Sequence, residues 1–171
     1  EFFMTGICSA NCEYCYLKKN QKSLYPEEIH NPDIILSNLK KVLNWYTKEK
    51  FCCNIDLFSA NWINTPLGPQ IFEILYNAFN SVDNIYRPKM ISIPDNMQFL
   101  KDEKATEMVE MNIKRFFDLG IALSFSASID GYYCEEGRTP VTDDFYEKLK
   151  NFLTVYGYNL HPMISSYNVS K

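Results

Sequence analysis

The chain has 171 residues, a formal charge of −4 and a hydrophobic fraction of 46 %, enough apolar material for one domain with a substantial core. The acidic balance gives no long-range attraction for nucleic acid phosphates, and the sequence contains neither an apolar run long enough to span a bilayer nor a signal-peptide pattern. Six cysteines, three of them close together, fit a reducing cytoplasm better than a secreted disulfide framework in a chain of this size. Because it opens at Glu1 directly on an apolar segment, the chain is expected to be one domain, residues 1–171, incomplete at both ends.

In chain order, Phe2 to Ile7 reads as a buried strand ending near Gly6, followed by the cysteine-bearing loop Cys8-Ser9-Ala10-Asn11-Cys12-Glu13-Tyr14-Cys15. Residues 16–33 are polar and turn-rich, and Asp33 is placed to cap a helix from Ile34. Ile35, Leu39, Val42, Leu43 and Tyr46 then share one helical face. Cys52 to Phe58 carries no breaker and predicts a second strand. After turn material from Asn64 to Gly68, a second helix presents Ile71, Ile74, Leu75, Ala78 and Phe79. Lys89 to Ile93 is a third strand, stopped by Pro94-Asp95-Asn96. A helix from Lys104 to Leu119 closes at Gly120, in the position of a C-terminal cap. Ile121 to Ile129 is a fourth strand, Asp144 to Tyr156 a fourth helix, and Tyr158 to Ser165 a fifth strand. Strand and helix alternate without a hairpin signal, which predicts an α/β fold of parallel strands joined by crossovers.

The chemistry centres on Cys8, Cys12 and Cys15. Thiolates ligate iron–sulfur clusters, and a cubane has four irons, so three cysteines leave one iron open to an exogenous chelator. A zinc site normally takes four tetrahedral ligands, and its knuckles bring a second pair of cysteines further on. Here only His30, His161, Cys52, Cys53 or Cys134 remain to complete such a site, and none is close in sequence. A non-catalytic zinc- or cluster-binding module stays the competing reading.

The spacing of these cysteines, with the aromatic Tyr14 before the last, resembles the cluster motif of the radical S-adenosylmethionine (SAM) enzymes. The resemblance extends along the chain, and it implies a [4Fe-4S] cluster whose open iron binds the amino and carboxylate groups of SAM. It also implies an open, partial (β/α)6-type parallel barrel, of which about five strands and four helices lie in this chain. The implied reaction is reductive cleavage of SAM to a 5′-deoxyadenosyl radical, which takes hydrogen from a peptide or small-molecule substrate. A flavodoxin or ferredoxin would be the electron donor.

Further positions follow from the same resemblance. Phe58-Ser59-Ala60-Asn61-Trp62 stands where many relatives carry Phe-Ser-Gly-Gly-Glu, which holds the SAM amino group. Ser59, Ala60 and Asn61 are therefore SAM-contact candidates, although the pattern's carboxylate is replaced. That replacement opens a third reading, a degenerate domain that binds SAM without turnover. Asn96, at the third strand's end, is similar to the polar turn that relatives place there. Ser126-Ala127-Ser128-Ile129-Asp130-Gly131, with Arg138 beyond it, resembles the fourth-strand signature of peptide-modifying members. It implies Ser128 at the ribose or carboxylate, Arg138 on the carboxylate, and Asp130 positioning the loop or meeting the target. Met163, after His161-Pro162, is implied to lie against the adenine. The remaining cysteines read as ordinary thiols.

Overall fold

The structure, a computed structural model, describes residues 6–7, 30–57, 61–129, 142–156 and 160–162, with the backbone alone at 127–129 and 160–162. Helix α1 is Pro32–Lys48, strand β1 Ile55–Asp56, α2 Leu67–Asn80, β2 Met90–Asp95, α3 Glu103–Asp118, β3 Ala122–Ile129, α4 Asp143–Tyr156 and β4 Leu160–Pro162. The strands form one sheet in the order β1-β2-β3-β4, every pair parallel. The α/β alternation expected from the sequence is therefore present. Because the strand order never reverses, these strands contain no switch point of the doubly wound kind.

Several boundaries differ from expectation. Asn31, not Asp33, caps α1: its Oδ1 accepts from the N–H groups of Asp33 and Ile34 at 3.0 and 3.3 Å. Pro32 makes this register favourable, since a proline at the first helical position gives up an N–H that has no helical partner. Asp33 then lies in the first turn, where its charge opposes the helix dipole. The strand predicted over Cys52–Phe58 is only Ile55–Asp56, extended by the bond from Leu57 N–H to Ser92 O at 2.9 Å. Cys52 and Cys53 precede it as exposed free thiols. Of the strand predicted at Phe2–Ile7, residues 1–5 lie outside the described set and Gly6 and Ile7 are in no strand. Ile7 nevertheless packs, half-buried, on the core.

The third strand runs through Pro94 and does not stop before it. Parallel pairing explains why. Ala122 N–H bonds Lys89 O, and Leu57 N–H bonds Ser92 O, so odd positions of β2 address β3 and even positions address β1. The nitrogen of Pro94 thus faces the β1 side, beyond the last β1 pair at Ser92. No described ladder bond is lost there.

One face of the sheet carries the core. Ile55, Leu57, Ile91, Ile93, Leu123 and Phe125 are buried on it, and helices cover it. Phe125 meets Phe99 and Phe152 of α4 with ring centroids 5.8 and 6.1 Å apart, and Phe99 meets Phe152 at 5.5 Å. Tyr76 of α2 meets Phe116 of α3 edge-on at 5.8 Å. On the opposite face Asp56, Ser92 and Ser124 lie in register across three strands, Asp56 exposed and both serines half-buried, with Met90, Pro94 and Ala122 beside them. No helix among the described residues is long and apolar enough to cross a membrane.

Local chemistry fixes the helix ends. Gly120, at φ +77°, closes α3 as predicted: its N–H bonds Phe117 O at 2.8 Å, and Ile121 N–H bonds Phe116 O at 2.9 Å. Arg87 reaches the C-terminal ends of two helices at once, Nε donating to Phe79 O at 2.9 Å and Nη1 to Leu119 O at 3.1 Å. Gly68 is needed for a different reason. A Cβ there would stand 2.3 Å from the carbonyl oxygen of Ile63, because the first turn of α2 sits on the turn that follows β1. Helix propensity alone predicts that Gly68→Ala stabilises by about 1 kcal/mol. The close approach predicts instead a loss of about 1–3 kcal/mol, and chemical denaturation of the two proteins will show which sign holds.

Candidate functional site

All strands being parallel, the segments after β1 and β2 both leave from one edge of the sheet. At that edge the structure brings together Asn61, in the segment following β1, and Asn96, directly after β2. Both are nearly enclosed, at 7 % and 8 % exposure, and Asn61 Nδ2 donates to Asn96 Oδ1. Asn96 Oδ1 also accepts the backbone N–H of Gln98 at 3.1 Å. An N–H cannot bond an amide nitrogen, so this contact fixes which end of the Asn96 amide faces Gln98, and Asn61 must offer its NH2 to the same oxygen. Among the described residues the amide nitrogen of Asn96 makes no hydrogen bond, and it is not among the fully buried polar atoms. It is a neutral donor, of a kind suited to a carboxylate, hydroxyl or ring nitrogen. Asn61 Oδ1, which the sequence offers as an acceptor for an ammonium group, is buried. In this geometry Asn61 supports Asn96.

Trp62 accounts for the departure from the Gly-Gly-Glu pattern. It is fully buried and packs on Phe72 with ring centroids 5.1 Å apart. The position that holds a carboxylate in the pattern is here part of the core between β1 and α2, and it supplies no negative charge to the edge.

Asp95 was missed by the sequence reading. It is the last residue of β2, it is 4 % exposed, and its Oδ1 accepts from Met97 N–H at 2.6 Å. Proline followed by two consecutive Asx residues was visible as a strand stop. Its meaning as a pair of side-chain-bonded turns needed the burial of Asp95.

Ser128 lies in β3, paired with His161 of β4. Cys8, Cys12, Cys15, Tyr14, Ser59, Ala60, Asp130, Arg138 and Met163 lie outside the described residues. Among the described residues no group of three or more His, Cys, Asp or Glu is arranged to hold a metal ion. A groove of about 760 Å³ runs between α3 and α4, lined by Lys101, Glu103, Glu107, Glu110, Lys148 and Tyr156 among others. It belongs to the helical layer. Lys101 lies over the Phe145 ring at 4.9 Å, and burial lowers its pKa. No family model, curated protein or solved structure matches the chain.

The core position of Trp62 yields a sharp expectation. Trp62→Glu, which rebuilds the acidic residue of the pattern, should not create a ligand contact. It should cost well over about 3 kcal/mol, from the lost aromatic packing and the buried carboxylate. A Trp62→Glu protein with wild-type thermal stability would show that the position is open to the edge.

Proposed function

We propose that the chain is the core of a radical SAM enzyme, built on a partial (β/α)6-type barrel and acting on a peptide or small-molecule substrate. The observation that carries this reading is the spacing Cys8-x3-Cys12-x2-Cys15 immediately after an apolar segment. The donor set fits a [4Fe-4S] cluster with one open iron, because three thiolates satisfy three corners. The chemistry such a cluster supplies when bound is one-electron cleavage of SAM to a 5′-deoxyadenosyl radical, which takes hydrogen from the substrate. A flavodoxin- or ferredoxin-like protein in a reducing compartment is the proposed electron source.

Two features of the described residues support the reading. The sheet is parallel with strands in sequential order, and in such folds ligands are held at the C-terminal edge. At that edge the Asn61–Asn96 pair offers a neutral donor to SAM. Arg138, with its planar fork, and Ser128 are proposed to take the carboxylate and ribose, and Tyr14, Ser59, Ala60, Asp130 and Met163 to complete the surroundings of the cofactor. The protein's own contribution is to orient SAM and exclude water.

A second reading, a domain that binds SAM without turnover, is favoured by Trp62 standing in place of the pattern's carboxylate. Measuring deoxyadenosine after dithionite reduction separates the two. Metal analysis after anaerobic purification separates both from a zinc module: iron and sulfide in near equal amounts support the proposal, and stoichiometric zinc overturns it.

Cys12→Ala should lose the iron–sulfur absorbance and deoxyadenosine formation, since two thiolates do not hold a cubane, while Cys134→Ala should keep both. Retention of both signals in Cys12→Ala would remove the basis of the assignment. A charge-assisted hydrogen bond contributes about 1.5–3 kcal/mol, so Arg138→Ala should weaken SAM binding roughly ten- to a hundredfold by calorimetric titration. Unchanged affinity would place Arg138 away from the carboxylate.

A further inference from the structure

We infer that Asp95 is a positioning residue that holds Asn96 in its ligand-facing orientation. The inference rests on the reading of the strand-end edge as the SAM side.

Asp95 occupies the same alternating set of β2 as Ile91 and Ile93, which are fully buried. A carboxylate at such a position is unfavourable unless its oxygens are hydrogen-bonded. Asp95 Oδ1 accepts from Met97 N–H at 2.6 Å, which meets that condition for one of its two oxygens, while Oδ2 is buried as well. One residue on, Asn96 Oδ1 takes Gln98 N–H at 3.1 Å. Two successive side chains therefore each hold the amide two residues ahead, and Asn96 lies inside the turn that Asp95 ties.

Met97 shows what the tie resists. Its φ is +60°, a region costly for a residue with a side chain, and it is fully buried. With the Asp95 bond removed, this left-handed turn loses a hydrogen bond that favours it, and Met97 N–H is left buried without its acceptor. The turn leads directly into the short 3-10 helix Gln98–Lys101, whose Phe99 and Leu100 are core residues. The exit path of the chain is thus fixed by packing, and the Asn96 amide is oriented by Gln98 N–H and Asn61 Nδ2, both at its Oδ1, within the turn that Asp95 ties at Met97. Asp95 does not touch the ligand. It sets the donor that does.

The test is SAM titration by calorimetry into the cluster-reconstituted, unreduced protein. Asn96→Ala, losing a neutral donor, should weaken binding roughly two- to tenfold. Asp95→Ala should weaken it by a similar factor, and the double variant should bind no more weakly than Asn96→Ala alone, because one residue acts through the other. Asp95→Asn, which keeps an acceptor for Met97 N–H, should lie within about twofold of wild type. Additive losses, or wild-type affinity in Asp95→Ala, would overturn the inference. Amide exchange at Met97 and Gln98 provides a second readout that needs no ligand. It should speed up by more than about tenfold in Asp95→Ala and stay unchanged in Asp95→Asn; unchanged exchange in Asp95→Ala overturns the tie. A wild-type protein that takes up neither cluster nor SAM would overturn the proposed function, and the exchange rates would still decide whether Asp95 fixes the turn.

Discussion

The parallel pairing of β2 with β3, six residues in register from Met90↔Ala122 to Asp95↔Ala127, is the constraint on which the described structure depends. Parallel neighbours cannot be joined by a tight turn, so each connection must cross from one end of the sheet to the other, and helices make that crossing. With β1 and β4 added on either side in chain order, every strand points the same way. All segments that follow a strand then begin at one edge. In parallel α/β folds ligand sites gather at that edge, because the topology leaves it to loops.

The two faces of the sheet divide the remaining work. The helix-covered face is sealed by aromatic contacts, with Phe125, Phe99 and Phe152 forming a triangle between β3, the turn after β2, and α4. Such rings bury large apolar areas and add geometric preference beyond area alone. The other face presents Asp56, Ser92 and Ser124 in one row. All-parallel sheets usually have both faces covered.

At the edge itself, an uncharged pair replaces the carboxylate expected from the resemblance. Trp62 commits its position to the core beside Phe72, and the described polar side chains at the edge are Asn61, Asp95 and Asn96. Neutral amides bond more weakly than a carboxylate would, and here the backbone N–H of Gln98 and Asn61 Nδ2 meet at Asn96 Oδ1.

Much of this was legible in the sequence. Helical periodicity named Ile35, Leu39, Leu43 and Tyr46 as the buried face of α1, and Gly120 announced the end of α3 because only a residue without a Cβ adopts its φ cheaply. The α/β alternation followed from the same local patterns, which depend on residues only a few positions apart. Other features had no local signature. β1 is short because its pairing with β2 covers two positions, and Pro94 lies inside β2 because its nitrogen faces away from β3. Gly68 is required by the carbonyl of Ile63 beneath it. Asn61 and Asn96 were candidates one at a time, yet their contact arises from residues 35 positions apart meeting at one edge. Only tertiary structure decides such contacts, because a hydrogen bond between distant side chains depends on where two strands end in space.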